Sequence, residues 1–343
     1  MIGFCLAAGA GTRLEPLTLV TPKPLLAPAG RPLVDLAVEA LQRAGATRVV
    51  VNAHHGADLL VARLAGRPGV EVVVERVLLG TGGGLVNAAR LGLLGKGDDP
   101  VLVSVADHVV DPADLADLAA FLERSGAPMA AGLMPAGPAA FGLRVVAPPA
   151  GPPGPGGSAA EGSAAGRVVR DPRGPWDSAG AYAVRAGLLC GLEPGPATLS
   201  DRVLGPLLDR GRLAGLPFRG PVADAGTLAR LLGVSAGLLA GRWPYRLPAG
   251  RLRRARGTGP VFVAKGAEVD PAAVLAGPVV IDAGARVGAG AAVAGSVVGP
   301  GAVVGAGARV TGCFLGPRAQ VPSGATATAA LLAAQPRLPP ARA

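Results

Sequence analysis

The chain has 343 residues, half of them hydrophobic, and a mean hydropathy of +0.44, enough for two domains and a substantial core. No apolar run reaches the ~18 residues a bilayer-spanning helix needs, the N-terminus lacks the basic region of a signal peptide, and Cys5, Cys190 and Cys313 are odd in number, far apart and without metal-ligand spacing, so a cytoplasmic protein without membrane association is expected. The net charge of +10 would suit an anionic partner, but only Lys23, Lys96 and Lys265 among the 33 basic residues are lysines, so much of the basicity reads as a compositional preference for arginine.

Residues 1–130 alternate strand-like and helix-like stretches. Ile2–Ala8 reads as a buried strand ending in glycines, Leu33–Ala44 as an apolar-periodic helix, and Val49–Val51, Val70–Val74 and Val101–Val105 as further strands. Such alternation predicts βαβ units and a mostly parallel sheet, in which ligands sit beyond the carboxyl ends of the strands. The glycines after Ala8 and Asp107 both fall at such ends. Residues 141–184 read as an antiparallel insertion with strands Phe141–Val146 and Arg167–Val169, joined by the Pro/Gly/Ala/Ser stretch Ala147–Gly166. Ser178–Tyr182 begins another strand. A helix near Leu199–Asp209, a strand ending at Val222-Ala223-Asp224 and a helix over Thr227–Leu239 complete this part.

From Val261 the period changes to six. Val263, Val269, Leu275, Ile281, Val287 and Val293 are six apart, and after five-residue steps come Val298, Val304 and Val310, then Leu315 and Val321, with Gly, Ala and Pro between them. A fixed short repeat with small turn residues predicts a stacked β-helix. The expected division is therefore an α/β domain over 1–245, a basic linker over 246–259, the repeat over 260–328 and a tail over 329–343. Arg251–Arg256 reads as solvated linker and not as a nucleic-acid site, because no aromatic platform accompanies it.

The chemistry is concentrated at the start. Glycines let backbone N–H groups approach an anion closely, and Gly9-Ala10-Gly11-Thr12-Arg13-Leu14 is followed by Thr21-Pro22-Lys23-Pro24-Leu25-Leu26. The loop lacks the third glycine of a dinucleotide fingerprint and the Gly-Lys-Ser/Thr of a P-loop. An arginine and a proline-flanked lysine behind it nonetheless suit phosphates, and a lysine retained against this composition is informative because ammonium and guanidinium are not interchangeable. His54-His55 has no Cys or Asp at ligand spacing and reads as a loop or helix-start pair; His108 either orients Asp107 or lines a pocket wall.

Leu6 to Leu33, read as LAAGxGTRLxPLTxxxPKPLLxxxGxPL, resembles the signature of the sugar-1-phosphate nucleotidyltransferases. Leu79-Gly80-Thr81-Gly82-Gly83-Gly84 is similar to that family's nucleotide-base loop, Asp107 falls where its Gly-Asp metal ligand lies, and Asp224-Ala225-Gly226-Thr227 resembles the Asp-x-Gly-Thr of a second metal ligand. The repeat resembles the left-handed β-helix of many members, mannose-1-phosphate guanylyltransferases included. The resemblance implies a Rossmann-like α/β domain with a mixed sheet followed by a left-handed parallel β-helix. It also implies transfer of a nucleotidyl group from an NTP to a sugar-1-phosphate with Mg²⁺, catalytic roles for Arg13 and Lys23, and metal-binding roles for Asp107 and Asp224. Leu6, Ala7, Ala8, Gly9, Gly11, Thr12 and Gly82 would frame the nucleotide, and Gly142 would approach the sugar.

The sugar side departs from the pattern. Arg170-Asp171-Pro172 stands for Glu-Lys-Pro, Ser178-Ala179-Gly180 for Asn-Ala-Gly, and Ala106 for the glycine before the metal aspartate. Arg170 or Arg173 is expected to take over the phosphate contact, since guanidinium pairs bidentately with phosphate, with Ser178 and Gly180 beside it. GTP and mannose-1-phosphate are favoured by the β-helix tail; Asn52-Ala53-His54-His55 and Gly82-Gly83-Gly84 also resemble members that use UTP with amino sugars. A non-catalytic nucleotide-sugar-binding relative is the alternative raised by the altered sugar motif. An acyltransferase is disfavoured because all three histidines precede residue 109. The repeat is expected to serve contact between subunits of a homo-oligomer.

Overall fold

The computed structural model describes residues 1–137, 142–146, 166–255 and 259–334. In chain order the elements are β1 (Ile2–Leu6), α1 (Leu17–Val20), α2 (Leu33–Arg43), β2 (Arg48–Ala53), α3 (Ala57–Leu64), β3 (Val70–Val74), α4 (Gly80–Arg90), β4 (Pro100–Val105) and β5 (His108–Val109). There follow α5 (Pro112–Ser125), β6 (Met129–Pro135), β7 (Leu143–Val146), β8 (Gly166–Arg170), β9 (Trp176–Arg185), α6 (Ala186–Cys190), α7 (Gly205–Asp209) and β10 (Leu213–Pro217). The series closes with β11 (Ala223–Asp224), α8 (Leu228–Ala240), β12 (Gly250–Ala255) and β13 (Gly259–Ala264), ahead of a run of two- and three-residue strands. Phe141 and the 147–165 stretch, expected to begin a strand and to form a connection, lie outside the described residues, as do 335–343.

The chain divides into two compact units, Met1–Gly9 with Ala37–Val222, and Ala10–Leu36 with Ala223–Ala343. The first is a Rossmann-like α/β unit on a mixed sheet ordered β3-β2-β1-β4-β9-β6-β10-β8-β7. β1 runs parallel to both β2 and β4, whereas β9 is antiparallel to β4 and β6. Phe4, Val50, Val101, Val103, Met129 and Val184 share one fully buried core, which is why these strands read as unbroken apolar runs and not as alternating ones. β7 and β8 form the antiparallel insertion expected there. Helix starts follow local chemistry: Asp111 caps α5 through the Ala113 amide at 2.9 Å with Pro112 in its first turn, and α5 stops at Gly126 in the left-handed conformation.

Two expectations need correcting at their boundaries. The strand expected to end at Asp224 does end there but is only the two residues Ala223–Asp224, and Leu213–Pro217 is a further strand before it. The helix near 199–209 opens with a π-turn over Ser200–Leu204 before α7. Ala197–Leu199 is held there by backbone and Thr81 contacts, which propensity does not foresee.

In the second unit the six-residue period becomes three short parallel sheets. Val263 pairs with Ile281 and Val287 with Val304, each strand meeting the next turn of chain seventeen or eighteen residues on. Ile281, Val287, Val293, Val298, Val304, Val310, Leu315 and Val321 are buried together, with Val263, Val269 and Leu275 packed against them. This is consistent with the β-helix that the repeat predicts. The arginine-rich stretch expected as linker is in part a strand, because β12 pairs antiparallel with β13 from Gly250–Ala264 to Ala255–Gly259. The parallel array continues past residue 328 to Leu331–Leu332, beside Phe314–Leu315.

The segment Ala10–Leu36 is held by this second unit. Leu17 lies against Gly316, and Gly30 against Pro248 and Asp282. The Arg31 guanidinium stacks over Tyr245 at 5.9 Å and donates to the Arg246 carbonyl at 3.2 Å. Asp282 is 4 % exposed; its Oδ1 accepts the Ala283 amide at 2.8 Å, and its Oδ2 has no hydrogen-bond partner. Burial pushes its pKa up from 3.8, against a smaller lowering by the Ala283 amide. A raised carboxyl pKa means the folded chain disfavours the ionised form, so this group costs stability as pH rises through its folded value and the cost disappears on acidification towards 3.8. Asp282→Asn is therefore expected to raise Tm at pH 7 by about 2 °C, a gain that fades as pH approaches 4 in circular-dichroism melts; equal melting of the two proteins at pH 7 would contradict it.

Candidate functional site

In the first unit the chain leaves β1 at Leu6 and turns through Ala7 and Ala8, both buried, to the exposed Gly9. A Cβ on Gly9 would meet nothing within 4 Å. No crowding inside the protein therefore demands a glycine there, and the open space is of the kind that lets an external group approach the backbone. Ala106, the first residue past β4, donates to the Leu6 carbonyl at 2.9 Å, which brings Asp107 beside the end of β1. The Asp107 Oδ1 is 2.9 Å from His108 Nδ1. Of the two roles open to His108, the geometry selects the orienting one.

Gly180 on β9 completes this corner. Its φ of +68° lies in the left-handed region, and a Cβ there would sit 2.8 Å from the His108 ring. Glycine is needed for both reasons. The Cys5 thiol, buried on β1, has its pKa pushed up to about 12 by burial and by the Asp107 charge, so it stays protonated and unreactive.

The other residues expected in this unit have identifiable contacts. Gly82, in the first turn of α4, donates its amide to the Ala197 carbonyl at 3.0 Å, and a Cβ there would strike the Thr198 carbonyl. Its glycine is thus accounted for by packing against residues 195–198. Gly142 packs against Asp171 and Pro172. Arg170, at the end of β8, forms an ion pair with Asp209 at 3.4 Å. Asp171 accepts the Arg173 amide at 2.9 Å and pairs with Arg144, and these two contacts hold its pKa below 3.8. Ser178 Oγ is 2.7 Å from Tyr182 Oη and accepts the Gly180 amide at 3.2 Å, so this hydroxyl braces the turn into Gly180.

In the second unit Thr12 and Arg13 lie on a 3₁₀ turn that starts at Gly11, and Lys23 opens another between Pro22 and Pro24. Gly11 has φ +70°, and a Cβ there would be 2.9 Å from Lys23 Cβ, so the loop and the lysine stem interlock. Lys23 is only 8 % exposed. Asp224 Oδ1 accepts the Gly226 amide at 2.9 Å and Oδ2 accepts from Arg230 at 2.8 Å. A Cβ on Gly226 would be 3.2 Å from Arg13 Nη2. The structure thus brings Arg13 together with Asp224 and Gly11 with Lys23. A guanidinium and an ammonium beside a carboxylate can neutralise and orient phosphate oxygens.

Sequence reasoning named Asn52 only within the Asn52–His55 stretch and missed both Glu75 and the pairing of the two. Asn52 is 1 % exposed and Glu75 4 %, and Asn52 Oδ1 accepts the Ala7 amide at 2.7 Å. Polar residues closing two valine runs were the available signal.

Residues 2–144 match the sequence profile of the family described as Nucleotidyl transferase. This part of the chain is similar to nucleotidyl transferases. An N-acetylmuramate alpha-1-phosphate uridylyltransferase of Caulobacter vibrioides is 43 % identical over 115 residues, which is 32 % of this chain and 46 % of that protein. A mannose-1-phosphate guanyltransferase of Aspergillus fumigatus is 39 % identical over 116 residues, 32 % of this chain and 31 % of that one. The chain thus spans less than half the length of these relatives. A solved UDP-glucose pyrophosphorylase complexed with UDP-glucose superposes with a TM-score of 0.55 at 18 % identity, over 70 % of this chain and 98 % of that one, and it supports the α/β fold alone. Among the described residues no helix is long and apolar enough to cross a membrane.

The corner formed by Gly180, His108 and Asp107 has a direct test. Gly180→Ala is expected to cost about 1–2 kcal/mol through its positive φ and to push the His108 ring off Asp107. The expected signs are a lower Tm and a displaced ring in the variant's crystal structure; an unmoved His108 would show that the glycine has no such role.

Proposed function

We propose that the protein transfers a nucleotidyl group from a nucleoside triphosphate to a sugar-1-phosphate, forming an NDP-sugar and releasing pyrophosphate. The observation that carries this reading is the interlock of Gly11 with Lys23, which fixes a buried lysine inside the stretch that matches the nucleotidyl transferase profile. Two anions must meet in this reaction, so catalysis consists chiefly of positioning and charge neutralisation. An oxygen of the sugar-1-phosphate attacks the α-phosphorus, and the bond from that phosphorus to the β-phosphate oxygen breaks. Arg13 steadies the departing pyrophosphate. Lys23 offsets charge developing at the α-phosphate. Leu6, Ala7, Ala8, Gly9, Gly11, Thr12 and Gly82 frame base and ribose.

Mg²⁺ suits the donor set. It is a hard cation that takes one or two carboxylates and completes its shell with water and substrate phosphates. By the resemblance, Asp107 and Asp224 would hold it. When bound, the ion supplies neutralisation of phosphate oxygens.

GTP with mannose-1-phosphate is the favoured pair, supported by the guanyltransferase relatives and by the repeat, which we read as a left-handed β-helix serving subunit contact in a cytoplasmic homo-oligomer. UTP with an amino-sugar-1-phosphate is the second reading, favoured by the 43 % identity to the uridylyltransferase. The altered sugar motif motivates a third, a regulatory relative that binds nucleotide-sugar without turnover. A pyrophosphate-release assay over a matrix of nucleoside triphosphates and sugar-1-phosphates with Mg²⁺ separates them. One dominant pair is expected, and release with no pair would favour the regulatory reading. Lys23→Ala should lower turnover by about a thousandfold or more with an unchanged far-UV spectrum; full activity in that variant would overturn the mechanism.

On the sugar side, Arg170 or Arg173 would grip the phosphate in the place of the lysine usual in the family, with Gly142, Ser178 and Gly180 shaping the pocket. Arg170→Ala or Arg173→Ala is then expected to raise the apparent KM for sugar phosphate about tenfold; two unchanged KM values would remove both arginines from this role.

A further inference from the structure

Beneath the two glycine-rich stretches of the first unit, Asn52 and Glu75 form a buried relay. Asn52 is the penultimate residue of β2, and Glu75 follows β3 directly. Asn52 Oδ1 accepts the Ala7 amide at 2.7 Å, Asn52 Nδ2 donates to Glu75 Oε1 at 2.7 Å, and Glu75 Oε2 accepts the Leu79 amide at 3.2 Å. Three hydrogen bonds thus join Ala7, the first residue past β1, to Leu79, the residue that leads into α4. Gly84 closes over the relay: a Cβ there would be 2.5 Å from Glu75 Oε1 and 2.6 Å from Asn52 Nδ2.

The chemistry of the two ends constrains the middle. Ala7 and Leu79 both present N–H donors, so the pair must offer an acceptor at each end and match one donor to one acceptor between them. Asn–Glu does this. Asp–Gln does it equally, with the same shape and the same total charge. Asn–Gln forces two donors together, and Asp–Glu sets two carboxylates against each other. In a buried site either mismatch leaves polar groups unsatisfied, which costs far more than a hydrogen bond contributes.

We propose that Asn52 and Glu75 are positioning residues that set the nucleotide-facing start of the β1 loop in register with the first turn of α4, and so govern affinity for the nucleoside triphosphate. This rests on the reading above that both stretches frame the nucleotide. Neither side chain touches substrate. A strained relay therefore changes nucleotide binding and leaves the sugar phosphate unaffected.

The test uses the full chain as wild type, Asn52→Asp, Glu75→Gln and the double variant, at a temperature where melts show all four folded. Isothermal titration with GTP and, separately, UTP reads binding, and steady-state kinetics split the two KM values. Each single variant is expected to bind nucleotide about tenfold or more weakly with an unchanged KM for sugar-1-phosphate, and the double variant to return to within about threefold of wild type. If Asn52→Asp does not fold, Glu75→Gln against the double variant carries the comparison. Single variants that bind like wild type, or a double variant no better than the weaker single, overturn the proposal. Wild type that binds neither nucleotide overturns the nucleotide reading and this proposal together, a pattern distinct from single variants that match a binding wild type.

Discussion

A loop that offers backbone amides to an outside group must have its remaining amides satisfied from within, and the rest of the first unit is arranged around that constraint. The ladder of β1 ends at Leu6, where its partner is Asn52 on the main chain of β2. One residue later the Ala7 amide is buried and beyond the reach of any strand, so the Asn52 side chain supplies the acceptor. That amide group then needs a partner of its own, which brings in Glu75, and the second oxygen of Glu75 brings in Leu79. A single unpaired N–H thereby propagates into a link between two separate loops.

The glycines divide by cause once the neighbours are known. Gly11 and Gly180 stand at positive φ and against a side chain that must keep its place, Lys23 in one case and His108 in the other. Gly84 is small because a carboxylate and an amide lie against it, and Gly82 because the Thr198 carbonyl does. Gly9 alone among these faces open space. One residue type therefore serves as turn, as spacer and as an opening to solvent, and only the atoms opposite each position tell which.

The second unit shows how a repeat can be put to local use. Its aliphatic positions fill a continuous core, and its surface anchors the 10–36 segment through Leu17, Gly30 and Arg31. The motif bearing Arg13 and Lys23 is thus braced by residues far away in sequence. The cost is visible at Asp282, a buried carboxylate with one oxygen unpartnered where that segment packs.

Much of this was legible in the chain itself. Apolar runs marked the parallel strands, the six-residue period marked the inward positions from Val263 to Val321, and Gly9–Leu14 with Lys23 marked two segments that pack together, because each signal is local and periodicity survives without neighbours. What the sequence did not disclose was pairing across distance. Asn52 and Glu75 are ordinary polar residues until two strands set them side by side; Arg251–Ala255 reads as linker until β13 offers it an edge; His108 is ambiguous until Gly180, by lacking a Cβ, leaves room for its ring beside Asp107. Hydrogen-bond partners, ion pairs and close contacts depend on which segments meet, and that is decided by tertiary packing, where burial makes each unpaired polar group too costly to leave alone.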